Sequence, residues 1–323
     1  MRVARALVGG FGLVLLAICL LLTLDRIVVP DGRAGVVAMA FVSYALPGYV
    51  VCLLAALWLR MRPSSVRARR GWTGVTAVAF LGAALHAGWQ APSYVGDHPS
   101  QEPTLTVLQL NTRFGEADPA EVVRLAATRH ADVVVLEELD TGAAARLARA
   151  GLHTLLPHSA GRAAAGTMVF SRWPVAHARE LPVSKGGVLV QVRAPRPFWL
   201  VGLHASQPAL DVSRWSRDLA DARRVVAGRR GAGLVVGDFN ATLAHGPLRA
   251  ILATGLRDAA EEANSGRQPT WPSSQVRFLG LPVPVSLFAI DHVLVSRQFG
   301  VVSTRTITVT GTDHKALVAS LVR

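Results

Sequence analysis

Leu234-Val-Val-Gly-Asp-Phe-Asn240 reads as a short buried strand that ends in a carboxylate and an amide. Three consecutive apolar, mostly β-branched residues without charge have the character of a strand interior. Gly237 permits close backbone approach. Asp238 and Asn240 are two apart, so in an extended segment both face one way while Phe239 faces the other, into a core. Three distant segments repeat the pattern: Leu110-Asn111, Leu136-Glu137-Glu138 and Thr312-Asp313-His314. Carboxylates, an amide and an imidazole, with no thiolate, are the groups that hard metals and phosphates favour. Strand ends are where an α/β fold holds such groups rigidly around one cleft. These segments point to an enzyme acting on a phosphate ester.

Around them the chain reads as alternating strands and helices. Strands are expected at Leu105–Leu110, Asp132–Leu136, Thr167–Phe170, Val188–Val192, Phe198–Leu203, Leu234–Val236, Ala289–Val295, Val301–Val309 and Leu317–Leu321. Helices are expected at Glu121–Arg129, with Asp118 as cap and Pro119 in the first turn, and at Thr141–Ala150, Val212–Arg229 and Pro247–Ala253. Strands outnumber helices and the helices intervene irregularly. That favours a layered α/β sandwich over a strict βαβ repeat.

The first ninety residues differ. The chain of 323 residues is 51% hydrophobic and 17% charged, and the apolar excess lies there. Three runs, about 6–24, 35–59 and 72–90, are expected to cross a membrane. Arg2 and Arg5 precede the first, and Arg60, Arg62, Arg67, Arg69 and Arg70 separate the second from the third. The positive-inside rule puts those arginines in the cytoplasm, and three crossings then place the following domain on the extracytoplasmic face. His86 is expected at the outer interface or packed between helices. Residues 91–103, with three prolines, read as a polar linker, and residues 104–323 as one large domain. Both cysteines, Cys19 and Cys52, fall in apolar runs, so that domain has neither a disulfide framework nor a cysteine zinc site. From Thr104 onward there are 25 Lys and Arg against 17 Asp and Glu, a basic balance that suits a polyanionic or anionic-lipid partner.

Seven motifs in order, Leu110-Asn111, Asp132 through Glu138, Gly166-Thr-Met-Val-Phe-Ser-Arg172, His204, Gly237-Asp-Phe-Asn240, Ile290-Asp291-His292 and Thr312-Asp313-His314, resemble those of the endonuclease/exonuclease/phosphatase superfamily, the deoxyribonuclease I-like fold. The resemblance covers about residues 104–323. It implies a four-layered α/β sandwich of two packed, mainly antiparallel sheets flanked by helices, here preceded by three transmembrane helices. It further implies a metal-dependent phosphoesterase of phosphodiester or phosphomonoester bonds, with a nuclease among the expected forms, using Mg²⁺ or Mn²⁺.

By this resemblance Glu138 is the main metal ligand, Asn111 stands beside the metal, and Asp313 serves the metal or its waters. Asp238 orients or deprotonates the attacking water, and Asn240 steadies a nonbridging oxygen. Asp291 holds His314, whose other nitrogen faces the phosphate as base or transition-state donor. His204 hydrogen-bonds phosphate or helps the leaving group. Nuclease-type members pair this His with a Glu, but here that region reads Ala165-Gly166-Thr167, so the partner is missing.

Glu137, where the family usually has Gln, reads as a solvated loop residue. His292 reads as structural, and His153, His158, His177 and His245 as surface residues. Trp271 reads either as an aromatic at the cleft rim or as ordinary packing. The uncharged stretch Phe278–Phe288 reads as a loop dipping toward a membrane. The substrates that fit are a nucleic acid or a phospholipid head group, including a sphingomyelin-type phosphodiester, with a sugar or inositol phosphate as a third option. A catalytically idle envelope binding domain is the alternative of another class. No protein partner is implied.

Overall fold

The structure, a computed structural model, describes residues 2–61, 65–96, 101–164, 166–273, 277–278, 281–282 and 285–323. The chain divides into two units, Met1–Pro92 with Ala244–Gly246, and Ser93–Leu243 with Pro247–Arg323.

The first unit is helical: α1 (Arg2–Val28), α2 (Arg33–Met39), α3 (Ala45–Met61) and α4 (Val66–Gln90). Leu16, Cys19, Ala45, Tyr49, Cys52 and Ala79 form its buried cluster. The Thr23 hydroxyl lies 2.7 Å from the Tyr49 hydroxyl and 3.0 Å from His86 Nε2. His86 is therefore packed between helices, where a polar group needs such partners. Leu7, Phe11, Leu21, Leu54, Phe80 and Leu81 point outward.

Two helical stretches among the described residues, Val3–Val28 and Val42–Met61, are long and apolar enough to cross a bilayer, with 22% and 33% of their apolar windows buried. The expected third span is corrected here. Helix α4 does form over residues 72–90, but Thr73, Gly74, Thr76, Gly82, His86 and Gly88 dilute its hydropathy below that of a spanning segment. Arg62 lies outside the described residues.

The second unit contains two six-stranded mixed sheets flanked by helices, an α/β sandwich. The first sheet is built from β1 (Leu105–Asn111), β2 (Val133–Leu139), β3 (His158–Gly161), β4 (Gly166–Ser171), β13 (Gly300–Thr308) and β14 (Lys315–Val322). Its order is β13-β14-β1-β2-β4-β3. The second contains β5 (Val175–Glu180), β6 (Gly187–Val192), β7 (Phe198–His204), β8 (Gly233–Asp238), β9 (Arg257–Asp258) and β12 (Asp291–Val295), in the order β5-β6-β7-β8-β12-β9. A two-stranded ribbon joins β10 (Arg277–Phe278) to β11 (Leu281–Pro282).

Each sheet has one parallel pair, β1 with β2 and β7 with β8, and is otherwise antiparallel. Helices α5 (Pro119–Thr128), α6 (Thr141–Arg149) and α7 (Leu152–Leu155) cover the first sheet through Val122, Leu125, Leu147 and Leu152. Asp118 Oδ1 accepts the amides of Ala120 and Glu121, which fixes the start of α5 as its sequence indicates. Helix α8 (Val212–Ala227) buries Trp215, Leu219, Ala222 and Val226, and α9 (Gly246–Leu252) and α10 (Ala259–Glu262) are short. Within the expected linker, Ser93 O and Gly96 O accept hydrogen bonds from Gly266 N and Asn264 Nδ2, so its first residues are fixed to this unit.

The core between the sheets is made at period two. Leu105 and Val107 of β1, Val133 and Val135 of β2, Phe198 and Leu200 of β7, Leu234 and Val236 of β8, and Val293 and Val295 of β12 all enter it. Continuing these columns by one alternation reaches Gln109, Glu137, Asp238 and Asp291, and a second step reaches Asn111 and, past Gly202, His204. The C-terminal ends of the two parallel pairs and the first residues of their antiparallel partners β12 and β14 share one end of the sandwich. There the inward columns change from apolar to polar, and this builds the site.

Candidate active site

Register sets the positions. Asn111 stands opposite Glu137, His204 opposite Asp238, and Asp238 opposite Asp291. Gly237 has φ +151°, and a Cβ there would lie 1.8 Å from the Leu203 carbonyl oxygen, so only glycine lets β8 run this close to β7. Glu138 does not follow the alternation. Its φ is +52°, and the β2–β4 register shifts between Leu136 and Leu139. This bulge turns Glu138 toward the loop after β1, where its Oε2 accepts the Phe114 amide at 3.1 Å. Two successive glutamates thus reach the same end of the sandwich by different backbone routes.

Hydrogen bonds tie the groups together. Asn111 Nδ2 donates to Asp238 Oδ2 at 3.0 Å, and the Asn240 amide N–H donates to Asp238 Oδ1 at 2.8 Å. Asn240 Nδ2 donates to Ala205 O at 3.0 Å. Gln109 Nε2 bridges Glu137 Oε2 at 2.8 Å and Asp291 Oδ1 at 2.7 Å. His314 Nδ1 stands 2.9 Å from Asp291 Oδ2, and its Nε2 faces Asp238 Oδ2 at 3.8 Å. The Thr312 hydroxyl donates to Asn111 O at 2.7 Å and accepts the His314 amide, which anchors the last motif to β1. Asp313 Oδ2 accepts the indole N–H of Trp271 at 3.2 Å. Trp271 also stacks on Phe288. Ala165, Leu279 and Pro284 lie outside the described residues, while Leu281 and Val285 of the same uncharged stretch are exposed.

His204 is buried, and neither ring nitrogen has a hydrogen-bond partner among the described residues. Its Nε2 lies 3.7 Å from both Glu138 Oε1 and Asp238 Oδ2. Burial lowers its pKa, so the ring is neutral at physiological pH. Burial would lower His314 as well, but the adjoining Asp291 carboxylate outweighs it and raises the imidazole to about 10. Asp291 is correspondingly lowered: burial opposes ionisation, and His314 more than compensates. Burial, then Asp291, raises Asp238. Glu137 is raised well above the usual carboxylate range by burial and by the charges of Asp291 and Asp238, so it holds its proton.

Glu137 corrects the sequence reading. It has no exposed surface and belongs to the network between the sheets. His245 is corrected too, being buried rather than on the surface. His292 is structural as expected, with Nδ1 at 2.8 Å from Asp258 Oδ2 and Nε2 at 2.8 Å from Ala241 O. Gln109 and Thr312 are the site residues that sequence reasoning missed. A polar residue in the inward column after Val107 is the signal that marks Gln109.

A divalent cation fits this donor set. Asp238, Asp291 and His314 each present a ligand atom within 4.8 Å of the others. Asp291, however, has both oxygens engaged, by Gln109 and His314. Glu138 Oε1 meets no hydrogen-bond donor among the described residues and faces a neutral imidazole. A buried carboxylate in that position seeks a cation, which makes Glu138 the better anchor.

The profile of the endonuclease/exonuclease/phosphatase family matches residues 108–314. A search of the curated proteins gives no match. Among solved structures, an endonuclease/exonuclease/phosphatase from Beutenbergia cavernae is 20% identical over 67% of this chain and 71% of its own, with a TM-score of 0.52. A family protein from Leptotrichia buccalis is 12% identical over 68% of this chain and 100% of its own, with a TM-score of 0.54. TDP2 of D. rerio, complexed with a single-strand DNA product, is 16% identical over 68% of this chain and 99% of its own, with a TM-score of 0.57. At these identities the likeness is one of fold. With the profile spanning all seven motifs, the chain belongs to the endonuclease/exonuclease/phosphatase family, whose members are hydrolases of phosphoester bonds.

Proposed function

We propose that this chain is a membrane-anchored phosphoesterase dependent on Mg²⁺ or Mn²⁺, held by Glu138 with Asn111 and Asp313. The observation that carries the reading is the convergence of Glu138, Asp238, His204, Asp291 and His314 at one end of the sandwich. The cation, when bound, neutralises charge developing on the phosphoryl and leaving oxygens. Asp238, fixed by Asn111 and the Asn240 amide, orients the attacking water and takes its proton, and its raised pKa brings it closer to the working range of a general base. His314, held charged by Asp291, donates from Nε2 to a nonbridging oxygen as negative charge grows there. Asn240 steadies a second oxygen. His204, neutral and with no carboxylate hydrogen-bonded to its ring among the described residues, contributes a hydrogen bond rather than a strong acid.

Full-length protein in detergent should hydrolyse bis(p-nitrophenyl) phosphate with Mg²⁺ or Mn²⁺ and stop on addition of EDTA. Equal rates for wild type and His314→Ala would remove that residue from the mechanism. A panel of DNA, RNA and sphingomyelin then separates a nuclease from a lipid head-group phosphodiesterase. Anchoring rests on the outward apolar faces of α1 and α3, which suit lipid. Arg2, Arg5 and Arg60 flank these helices on one side of the bilayer. A reporter fused after Arg323 reads the side on which the catalytic domain lies.

A further inference from the structure

A cavity of about 270 Å³ opens from Glu138 between Arg162, Ala164, Gly166 and Thr167 on one side and the β5–β6 turn on the other, with Phe114 also in its wall. The reacting groups described above do not fill it. Arg162 and Lys185 line it, and neither side chain has a hydrogen bond or ion pair among the described residues. Glu138 and Glu180 are the carboxylates of the lining. With Glu138 committed to the cation, the remaining wall carries two positive charges against one negative.

Lys185 stands out in the sequence. Of 34 basic residues only Lys185 and Lys315 are lysine, and both lie at the polar end of the sandwich. Lysine presents a compact charge suited to a phosphate oxygen, where arginine presents a broad planar fork. The turn that carries Lys185 is firmly held. Ser184 donates from its amide and its hydroxyl to Asp218 Oδ1, and Asp218 Oδ2 accepts the Ser206 amide at 2.8 Å. Gly186 O accepts the His204 amide at 2.9 Å and the Thr167 hydroxyl at 3.0 Å. Gly186 itself has φ +114°, and a Cβ there would meet the backbone of Gly166 and Thr167 at 3.1 Å. One buried aspartate on α8 and one left-handed glycine thus fix a half-buried, unpaired lysine on the wall of a cavity that begins at the proposed metal ligand.

We infer that this cavity is a subsite for a second phosphate of the substrate, bound by Lys185 with Arg162, next to the phosphorus that is cleaved. The inference rests on the phosphoesterase reading and adds to it that preferred substrates carry two neighbouring phosphates. Phe114, 60% exposed, lies on the same wall and offers an apolar face to the group that links them.

The test compares two substrates with the full chain in detergent: bis(p-nitrophenyl) phosphate, with one phosphate, and the 5′-p-nitrophenyl ester of thymidine 3′,5′-bisphosphate, with two. Wild type should favour the second by about tenfold or more in kcat/KM, the worth of one charge-assisted contact. Lys185→Gln should raise KM for the second by about tenfold with kcat kept, and leave the first within about twofold. Equal losses on both substrates, or no loss on either, would overturn the subsite. If wild type cleaves neither, the phosphoesterase reading falls and calorimetry decides the subsite separately. Thymidine 3′,5′-bisphosphate in EDTA should bind wild type about tenfold more tightly than Lys185→Gln, and equal binding would overturn it.

Discussion

Asp291 and His292 are neighbours in the chain and belong to two different buried pairs. Asp291 holds His314 Nδ1 at 2.9 Å, and Asp258 holds His292 Nδ1 at 2.8 Å. Both imidazoles have a raised pKa, in each case because the aspartate outweighs the effect of burial. The pairs part at the second nitrogen. His292 Nε2 is closed off by the Ala241 carbonyl, whereas His314 Nε2 has Asp238 at 3.8 Å and no hydrogen bond among the described residues. The contrast arises from strand alternation: Asp291 faces between the sheets and His292 faces away. A histidine–aspartate pair is thus a strut or a working group according to what its free nitrogen meets.

The strongest way to break this comparison is to exchange the two histidines for asparagine. His314→Asn should lower kcat by about 10²–10⁴-fold, the range of a lost proton donor or acceptor, while thermal unfolding stays cooperative. His292→Asn should do the reverse, costing about 2–4 kcal/mol of stability with kcat per folded molecule nearly unchanged, because it takes the charged partner from the buried Asp258 Oδ2. Activity assays alongside denaturant unfolding measure both, and identical profiles for the two variants would erase the distinction.

The two glutamates give the next contrast. Glu138→Gln should weaken divalent-cation binding by about 10–100-fold, read by calorimetry with Mn²⁺. Glu137→Gln should leave that affinity nearly intact, because the residue already carries its proton and the amide matches its shape. Its stability should change by less than about 1 kcal/mol.

The pH response sharpens the first contrast by a smaller amount. His314 is raised from an ordinary 6.5 to about 10 in the fold, so its contribution to stability is fully present below about pH 6.5 and is lost as pH rises through 10. The stability gap between wild type and His314→Asn should therefore narrow between about pH 6 and about pH 9 in chemical denaturation. A gap that widens over that range would contradict the charged state assigned to His314.

Much of this was legible in the chain. The interior strands announce themselves because burial on both faces demands runs such as Val133-Val-Val-Leu136, and α5 does so through Asp118 and Pro119. The edge strands β3 and β5 were not read: His158-Ser-Ala-Gly161 and Val175–Glu180 are largely exposed, so neither carries an apolar pattern. The site residues at strand ends were identifiable because strand ends are fixed by the apolar runs before them. Glu137 was not, since charge normally signals solvent and only its burial and the hydrogen bond from Gln109 reveal a proton-holding carboxyl. His245 was missed for the same reason, its burial depending on contacts far along the sequence. The third apolar run shows the opposite failure: its alanines and valines suggest a span, but its glycines, threonines and His86 leave it short of the hydropathy a span needs.

The left-handed backbone at Glu138 has one further effect. A single peptide unit separates a carboxyl that keeps its hydrogen from one turned toward the loop after β1. The domain can therefore crowd carboxyl groups around one point without the mutual repulsion that ionising all of them would bring, and the electrical sign of the cleft is set by how the main chain twists as much as by which side chains it bears.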